Sequence, residues 1–436
     1  MRREVEKQLI EWKNSPHRKP LIVMGARQVG KTYTLQHFGK QHYDYVAYIN
    51  CDNNPQIENL FATDYNMERI LLVIGAVAEV PIIAGKTLII LDEIQELRRG
   101  LSALKYFCEL APQHHVAVAG SLLGITMHQG ESAPVGKVDI INMYPLTFTE
   151  FLEAIGKEQL VNILLSHDWE TIKMLRQEYI RHLRTYYFVG GMPEAVLKYI
   201  NTSDAMSVRK IQNNILAIYQ SDMSKHTTTL EQLRITQVWQ SIPSQLAREN
   251  KKFLYGALKH GGRAREFELA IQWLQDAGLI YRITRALKPQ LPLKFYEDIS
   301  AFKLYLLDTG MFGALANIPP AQLLISDNDL GTSKGALTEN YVISQLATMP
   351  DTTLCYFSNE NHTLEIDLVL QEQSNIWPIE IKAEENLKSK SLNTFINDNP
   401  NLTGIRFSMS DYRDQDWMIN IPLYACKTYF FHRPSE

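Results

Sequence analysis

Cysteine is scarce in this chain of 436 residues. Cys51, Cys108, Cys355 and Cys426 lie far apart and form no C-x-x-C pair, which argues against a zinc knuckle and predicts a reduced, cytoplasmic protein. Positive charge is not in excess either. With 44 Lys and Arg against 48 Asp and Glu, the formal net charge is −4, so there is no global basic field and any nucleic-acid contact must come from a local patch. Long apolar runs are also missing. The most apolar stretch, 70–84, is interrupted by Glu79 and Pro81, short of the roughly 20 apolar residues of a membrane span, and reads as a buried helix followed by a loop. The first twenty residues mix charges of both signs and lack a signal-peptide core, so secretion is not expected. What remains is 45% hydrophobic, enough for roughly two to four domains with real cores.

The stretch that organises the rest is Gly25-Ala26-Arg27-Gln28-Val29-Gly30-Lys31-Thr32, which fits G-x-x-x-x-G-K-[ST]. It follows the apolar run 21–24, a buried parallel strand, and precedes a helix opening at Tyr33. The unpartnered N–H groups of a helix start, with the positive end of its dipole, favour a phosphate. Gly25, Ala26, Arg27, Gln28, Val29, Gly30, Lys31, Thr32 and Tyr33 are the expected nucleotide-binding residues. Lys31 would reach the β and γ oxygens of ATP, and Thr32 would offer its hydroxyl to Mg²⁺. A second buried strand, 87–93, ends in two carboxylates, Asp92 and Glu93. Asp92 is assigned to the metal and Glu93 to the attacking water, the competing reading being an acidic cap on a following helix. Strands are also expected at 45–50 and 116–119, and a short helix over 5–12. Strands alternating with helices up to about residue 143 imply a parallel sheet with the site at its carboxyl edge.

Further along, Met143-Tyr144-Pro145-Leu146-Thr147-Phe148, Tyr187-Phe188-Val189-Gly190-Gly191-Met192-Pro193, Ile242-Pro243-Ser244-Gln245-Leu246-Ala247, Trp273-Leu274-Gln275-Asp276-Ala277-Gly278-Leu279-Ile280 and Leu304-Tyr305-Leu306-Leu307-Asp308-Thr309-Gly310 recur in order. In these blocks the chain resembles a group of prokaryotic AAA+ ATPases that carry a C-terminal domain of uncharacterised role. The resemblance implies that Ser121, after the strand 116–119, senses the γ-phosphate. Many relatives have Gly-Arg where this chain has Gly136-Lys137, and lysine lacks the planar bidentate fork of an arginine finger. Such proteins often form rings, so an oligomer is possible, but no trans-acting arginine can be named.

The expected fold is α/β, with an AAA+ P-loop domain over 1–150 and a helical lid over 151–230. A winged-helix domain over 231–295 and a restriction-endonuclease-like α/β domain over 296–436 complete it. The winged helix rests on a helix, a turn at Asn250 to Lys252, a second helix, a third over 266–277 and a strand over 279–283, with Lys251, Lys252, Lys259, Arg263 and Arg265 crowding its middle. These cations suit either DNA phosphates or a solvated protein-docking face. In the last domain, strand alternation sets Asp367 apart from Ile366 and Leu368, and Glu380 and Lys382 apart from Ile379 and Ile381. With Glu339 on an upstream helix, the set resembles a PD-(D/E)xK nuclease core. Glu339, Asp367 and Glu380 would hold Mg²⁺ and Lys382 would stand beside the phosphate. Glu and Lys two apart on a strand are also common salt-bridging neighbours, and Tyr356 and Trp377 read as core or rim aromatics. Two functions stay open: an ATPase acting on DNA through 231–295 and 296–436, or a nucleotide switch for a protein partner with an inert nuclease-like scaffold.

Overall fold

The computed structural model describes residues 1–431 except 63, 121–122, 129–135, 226, 250, 325–331, 360, 362 and 386–388. The chain divides into two compact units, one of Met1–Tyr144 with Asp276–Gly278, the other of Pro145–Gln275 with Leu279–Glu436. Among the described residues no helix is long and apolar enough to cross a membrane.

The first unit runs α1 (Val5–Asn14), β1 (Leu21–Met24), α2 (Lys31–His42), β2 (Tyr45–Asn50), α3 (Met67–Ala78), β3 (Thr87–Asp92), α4 (Gly100–Leu110), β4 (His115–Ala119), α5 (Leu123–His128) and β5 (Asp139–Asn142). The strands order β2-β3-β4-β1-β5, every neighbouring pair parallel, which is the parallel sheet expected from the alternation of strands and helices. Parallel strands covered on both faces need no polar alternation, and β3 and β4 are buried along their whole length. The helix and following loop expected within 70–84 are present, but the helix is not buried all round. α3 ends at Ala78 and is amphipathic, with Ile70 and Ile74 fully buried but Leu72 74% exposed, because about 100° per residue turns Leu72 away from the sheet.

Parallel pairing brings every strand's carboxyl end to one edge. Asn50 stands opposite Asp92, Asp92 opposite Ala119, and Met24 opposite Asn142. Just past β1 the backbone at Gly25 takes φ 138°, and a Cβ there would lie 2.1 Å from the carbonyl oxygen of Met143. Only glycine fits so close to the continuation of β5.

The second unit holds α6 (Phe148–Ala154), α7 (Glu158–Ser166), α8 (Trp169–Met174), α9 (Arg176–Val189), α10 (Pro193–Thr202), α11 (Ala205–Lys225), α12 (Thr229–Leu246) and α13 (Ala264–Asp276). These are followed by β6 (Ile280–Ala286), β7 (Glu297–Leu306), α14 (Thr309–Leu315), α15 (Pro320–Leu324) and α16 (Thr332–Leu346). The chain ends with β8 (Thr352–Ser358), β9 (Glu365–Glu372), β10 (Asn375–Ile381), α17 (Lys390–Asp398), β11 (Gly404–Ser408), β12 (Arg413–Gln415) and β13 (Met418–Pro422). Its eight strands form one mixed sheet, β12-β13-β11-β10-β9-β8-β6-β7.

The helices expected as a lid share a core with this sheet's domain. Tyr179 stacks on Tyr424, Tyr186 meets Tyr341 edge-on, and the Phe148 N–H donates to Gln345 Oε1 at 2.7 Å. Capping boxes at Thr147/Glu150 and Thr228/Glu231 start α6 and α12. Between α12 and α13 the expected middle helix is reduced to one 3-10 turn, Tyr255–Ala257. Gly256, Gly261 and Gly262 crowd this stretch, and each glycine costs a helix about 1 kcal/mol relative to alanine. Asn250, in the expected turn, lies outside the described residues. β6 and β7 pair antiparallel while β6 also pairs parallel with β8, so the hairpin on either side of 295 is continuous with the C-terminal sheet.

Two sequence blocks far apart in the chain meet at Asp308. Its carboxylate accepts from Gly191 N–H at 2.6 Å and from Met311 N–H at 2.8 Å, capping α14 and holding the α9–α10 turn. Gly190 sits at φ 72°, and a Cβ there would be 2.3 Å from Asp308 Oδ1. Burial pushes this carboxyl up to about 6 from an ordinary 3.8, against the lowering effect of the Gly191, Met311 and Gly310 N–H groups. The native state therefore keeps a proton that the unfolded chain releases, and stability from this group falls as pH rises from about 4 to about 6, by roughly 3 kcal/mol. Unfolding of wild type and Asp308→Asn across that range should show a fall larger in wild type by about that amount. A second expectation concerns Gly25. Gly25→Ala should destabilise by about 2–4 kcal/mol, from strain plus collision. Gly85→Ala, at φ 70° with open space around it, should cost only about 1 kcal/mol. Chemical denaturation of the pair separates the two contributions.

Candidate nucleotide site and C-terminal charge cluster

The loop 25–32 leaves β1 through three residues of positive φ, Gly25, Gln28 at 70° and Gly30 at 93°, and Gly30 caps α2. Ala26 and Val29 are buried and pin the loop to the core, while Gln28 and Tyr33 face outward. Tyr33 is 60% exposed and stacks on His37 one turn along α2. Arg27 stands close enough to Lys31 to lower its pKa. The sequence reading missed Arg3. This buried guanidinium donates to the carbonyl of Val29 at 3.0 Å and to that of Tyr144 at 2.6 Å, tying the loop to the chain beyond β5. No motif marks it, because its partners are backbone carbonyls.

Lys31 is buried, and its Nζ donates to Gly25 O at 2.8 Å and Ala26 O at 2.9 Å. Burial pulls its amine down to about 8, partly offset by Glu93 and Asp92. An ammonium satisfied only by its own loop carbonyls gains most from an anion, and phosphate oxygens fit that need. Thr32 Oγ1 donates to Asp92 Oδ2 at 2.7 Å, with the Tyr48 hydroxyl at 3.3 Å from the same oxygen. Burial raises the Asp92 carboxyl, the Thr32 bond lowers it, and adjacent Glu93 raises it again. Burial beside Asp92 also pushes Tyr48 and Cys51 up to about 12. A hydroxyl and a carboxylate in contact are hard oxygen donors suited to Mg²⁺, which usually takes one or two protein oxygens and fills its shell with phosphate and water. The donor set fits that ion.

The expectation that both acids end the strand needs correction. β3 stops at Asp92, and Glu93 leaves in the left-handed region at φ 53°, ψ 44°, capping a 3-10 turn at Ile94–Glu96. The two carboxylates therefore do not follow strand alternation. Lys137 is paired with Glu109 at 2.9 Å, on a half-exposed surface. Ser121 lies outside the described residues.

In the second unit the acids named from sequence are divided between cations. Glu339, 3% exposed on α16, pairs with Lys251 and accepts from the Tyr305 hydroxyl at 3.2 Å. Burial raises its pKa, Lys251 lowers it, and Asp367 raises it further. Lys303 on β7, fully buried, donates to Glu365 at 2.5 Å and lies 4.7 Å from the Tyr356 ring centroid. Burial works to lower the Lys303 amine, yet Glu365, Glu339 and Asp367 together hold it above its ordinary value. Asp367 Oδ2 accepts the Ile381 N–H at 2.8 Å. Glu380 pairs with Lys382 at 2.6 Å, and its other oxygen is buried with no hydrogen-bond partner among the described residues. Glu339, Asp367 and Glu380 are not gathered as expected. Among the described residues no group of three or more His, Cys, Asp or Glu side chains could hold a metal ion. One Asp367 oxygen accepts a backbone N–H, and lysines stand beside Glu339, Glu365 and Glu380. Lys303 and Glu365 escaped the sequence reading because β7 and β9 are 62 residues apart. Tyr356 and Trp377 are buried, as core aromatics.

Residues 17–152 match the family described as AAA domain. Residues 180–322 and 334–425 match two families described as Domain of unknown function (DUF8612) and Domain of unknown function (DUF4143). No curated protein matches the chain. Among solved structures, 74% of the chain is similar to 95% of the Aeropyrum pernix ORC1 protein in complex with DNA, at 11% identity and TM-score 0.28. Similarly, 72% of the chain is similar to 94% of a chain of Drosophila ORC bound to DNA, at 12% identity and TM-score 0.27. The parallel five-stranded sheet, the glycine-rich loop at its edge and the family match over 17–152 agree: this part of the chain is similar to the family described as AAA domain.

Proposed function

We propose that this chain binds ATP with Mg²⁺ in its N-terminal unit and hydrolyses it, and that it engages nucleic acid through the second unit without cutting it. The observation that carries the first part is the bond between Thr32 and Asp92 beside the buried, inward-folded Lys31. Mg²⁺ held by Thr32 and Asp92 would neutralise charge on the β and γ oxygens. Lys31 exchanges loop carbonyls for phosphate oxygens, loop N–H groups bind the remaining oxygens, and Glu93 orients water and takes its proton. Lys31→Ala should abolish ATP binding. Glu93→Gln should keep binding and lose hydrolysis, so equal turnover in Glu93→Gln and wild type would remove Glu93 from this role.

The run α16-β8-β9-β10-α17-β11, a helix, three antiparallel strands, a helix and a strand parallel to β10, supports the nuclease-like reading of the C-terminal fold. Lys251 and Lys303, which no cutting motif requires, stand beside its acids and favour a scaffold over a cutting site. α12, α13 and the β6–β7 hairpin support the winged-helix reading, and the exposed Lys259, Arg263 and Arg265 are its outward cations. Lys251 belongs to the interior instead. Alanine at Lys259, Arg263 and Arg265 together should weaken duplex DNA binding across all sequences and flatten the salt slope by up to about 3. Absence of wild-type binding at low salt would turn the reading to a protein partner. Lys303→Met should destabilise by about 3–5 kcal/mol by stranding Glu365. Calorimetric titration of Mn²⁺ into the Asp92→Asn protein, which lacks the N-terminal metal carboxylate, should give no heat, and saturable binding there would restore the cutting site.

A further inference from the structure

One buried polar group beside the nucleotide site is unexplained by binding and hydrolysis as described. Gln95, in the 3-10 turn after β3, has an Oε1 that is buried with no hydrogen-bond partner among the described residues. That oxygen packs against Gly120, the residue after β4, where a Cβ would lie 2.2 Å from it, 3.0 Å from Gln95 Cδ and 2.9 Å from Leu123 Cγ. At the other end of the same amide, Nε2 donates to Glu93 Oε2 at 2.5 Å. β3 and β4 are neighbours in the sheet, with Asp92 opposite Ala119, so the amide spans from one strand's end to the next.

A buried amide oxygen left without a donor costs stability, and such costs persist where a geometry serves function. Here the geometry constrains Glu93. Its left-handed backbone takes the side chain out of the strand's alternation, so the pleat of β3 does not orient the carboxylate. The Gln95 amide does so through a charge-assisted hydrogen bond. Gly120 makes that possible, since any side chain there would displace Gln95.

Resting on the ATPase reading above, we infer that Gln95 is a positioning residue for hydrolysis, holding the Glu93 carboxylate against the end of β4, with Gly120 as the seat of its amide. Misplacing a catalytic carboxylate by an ångström lowers turnover and leaves the phosphate grip of the P-loop untouched. Gln95→Ala should therefore lower kcat for ATP on the order of tenfold or more, with KM and the affinity for a non-hydrolysable ATP analogue within about twofold of wild type. Gln95→Glu keeps the shape and volume but sets a carboxylate against Glu93, and should lose at least as much, which covers the case in which the alanine variant does not fold. Gly120→Ala should reproduce the loss in the wild-type background and add little in Gln95→Ala, because most of the collision is with the side chain already removed.

The measurements are steady-state kinetics on the full chain, analogue binding and thermal midpoints for wild type, the three single variants and the double. Wild type that binds the analogue and hydrolyses nothing defeats the ATPase reading itself. Active wild type with unchanged kcat in Gln95→Ala and Gln95→Glu overturns the role of Gln95 alone. A rise in KM at constant kcat overturns it too, as does a Gly120→Ala loss that is equally large in both backgrounds.

Discussion

The hydrogen bond from Thr32 Oγ1 to Asp92 Oδ2 joins residues 60 apart in the chain, and the nucleotide site exists only because the sheet closes that gap. β1 and β3 are not neighbours. β4 lies between them, paired parallel to both, and brings their carboxyl ends to the same edge. Everything placed there pays in desolvation. Burial lowers the Lys31 amine and raises the Asp92 carboxyl, and each is the other's partial remedy. Arg3 holds the loop from behind through two carbonyls, so the cradle is braced by a residue that lies outside the motif.

The second unit meets the same physics differently. A carboxylate cannot stay charged in a protein interior without a partner, and the acids of the C-terminal sheet find lysines from elsewhere in the chain. Lys251 comes from the segment before α13 and Lys303 from β7, so the hairpin, the preceding helices and the sheet are held by charges that none of them could bury alone. Asp308 is the exception in kind: its partners are backbone N–H groups, and its carboxyl stays near neutrality in pH terms instead of being fixed by a cation. These contacts explain why helices 148–225 and the mixed sheet fall in one compact unit.

Much of the first unit was legible from local pattern. Apolar runs located β1, β3 and β4 to within a residue or two, because a strand covered on both faces is written as a continuous apolar segment. The loop 25–32 was legible for a different reason: its glycines, lysine and threonine serve contacts within eight residues of one another, so spacing alone encodes them. Glu93 was legible as an acid but not as a conformation, since its left-handed backbone belongs to the 3-10 turn after β3, which an apolar run does not encode. The amphipathic face of α3 and the collapse of the middle helix near 255 to one turn were set by packing and by glycine, which hydropathy alone does not weigh.

The sequence by itself determined a glycine-rich loop between a strand and a helix, a carboxylate at the end of a second strand, and an α/β architecture for the N-terminal unit. These are properties of short segments, whose physics is complete within a few residues. Only the tertiary structure decided that Lys31 folds onto its own loop, that Gln95 donates to Glu93, and that the C-terminal acids face lysines. Each of those outcomes depends on which distant side chain arrives within about 3 Å, and in a desolvated interior that arrival decides whether a charged residue is a ligand, a catalyst or half of a salt bridge.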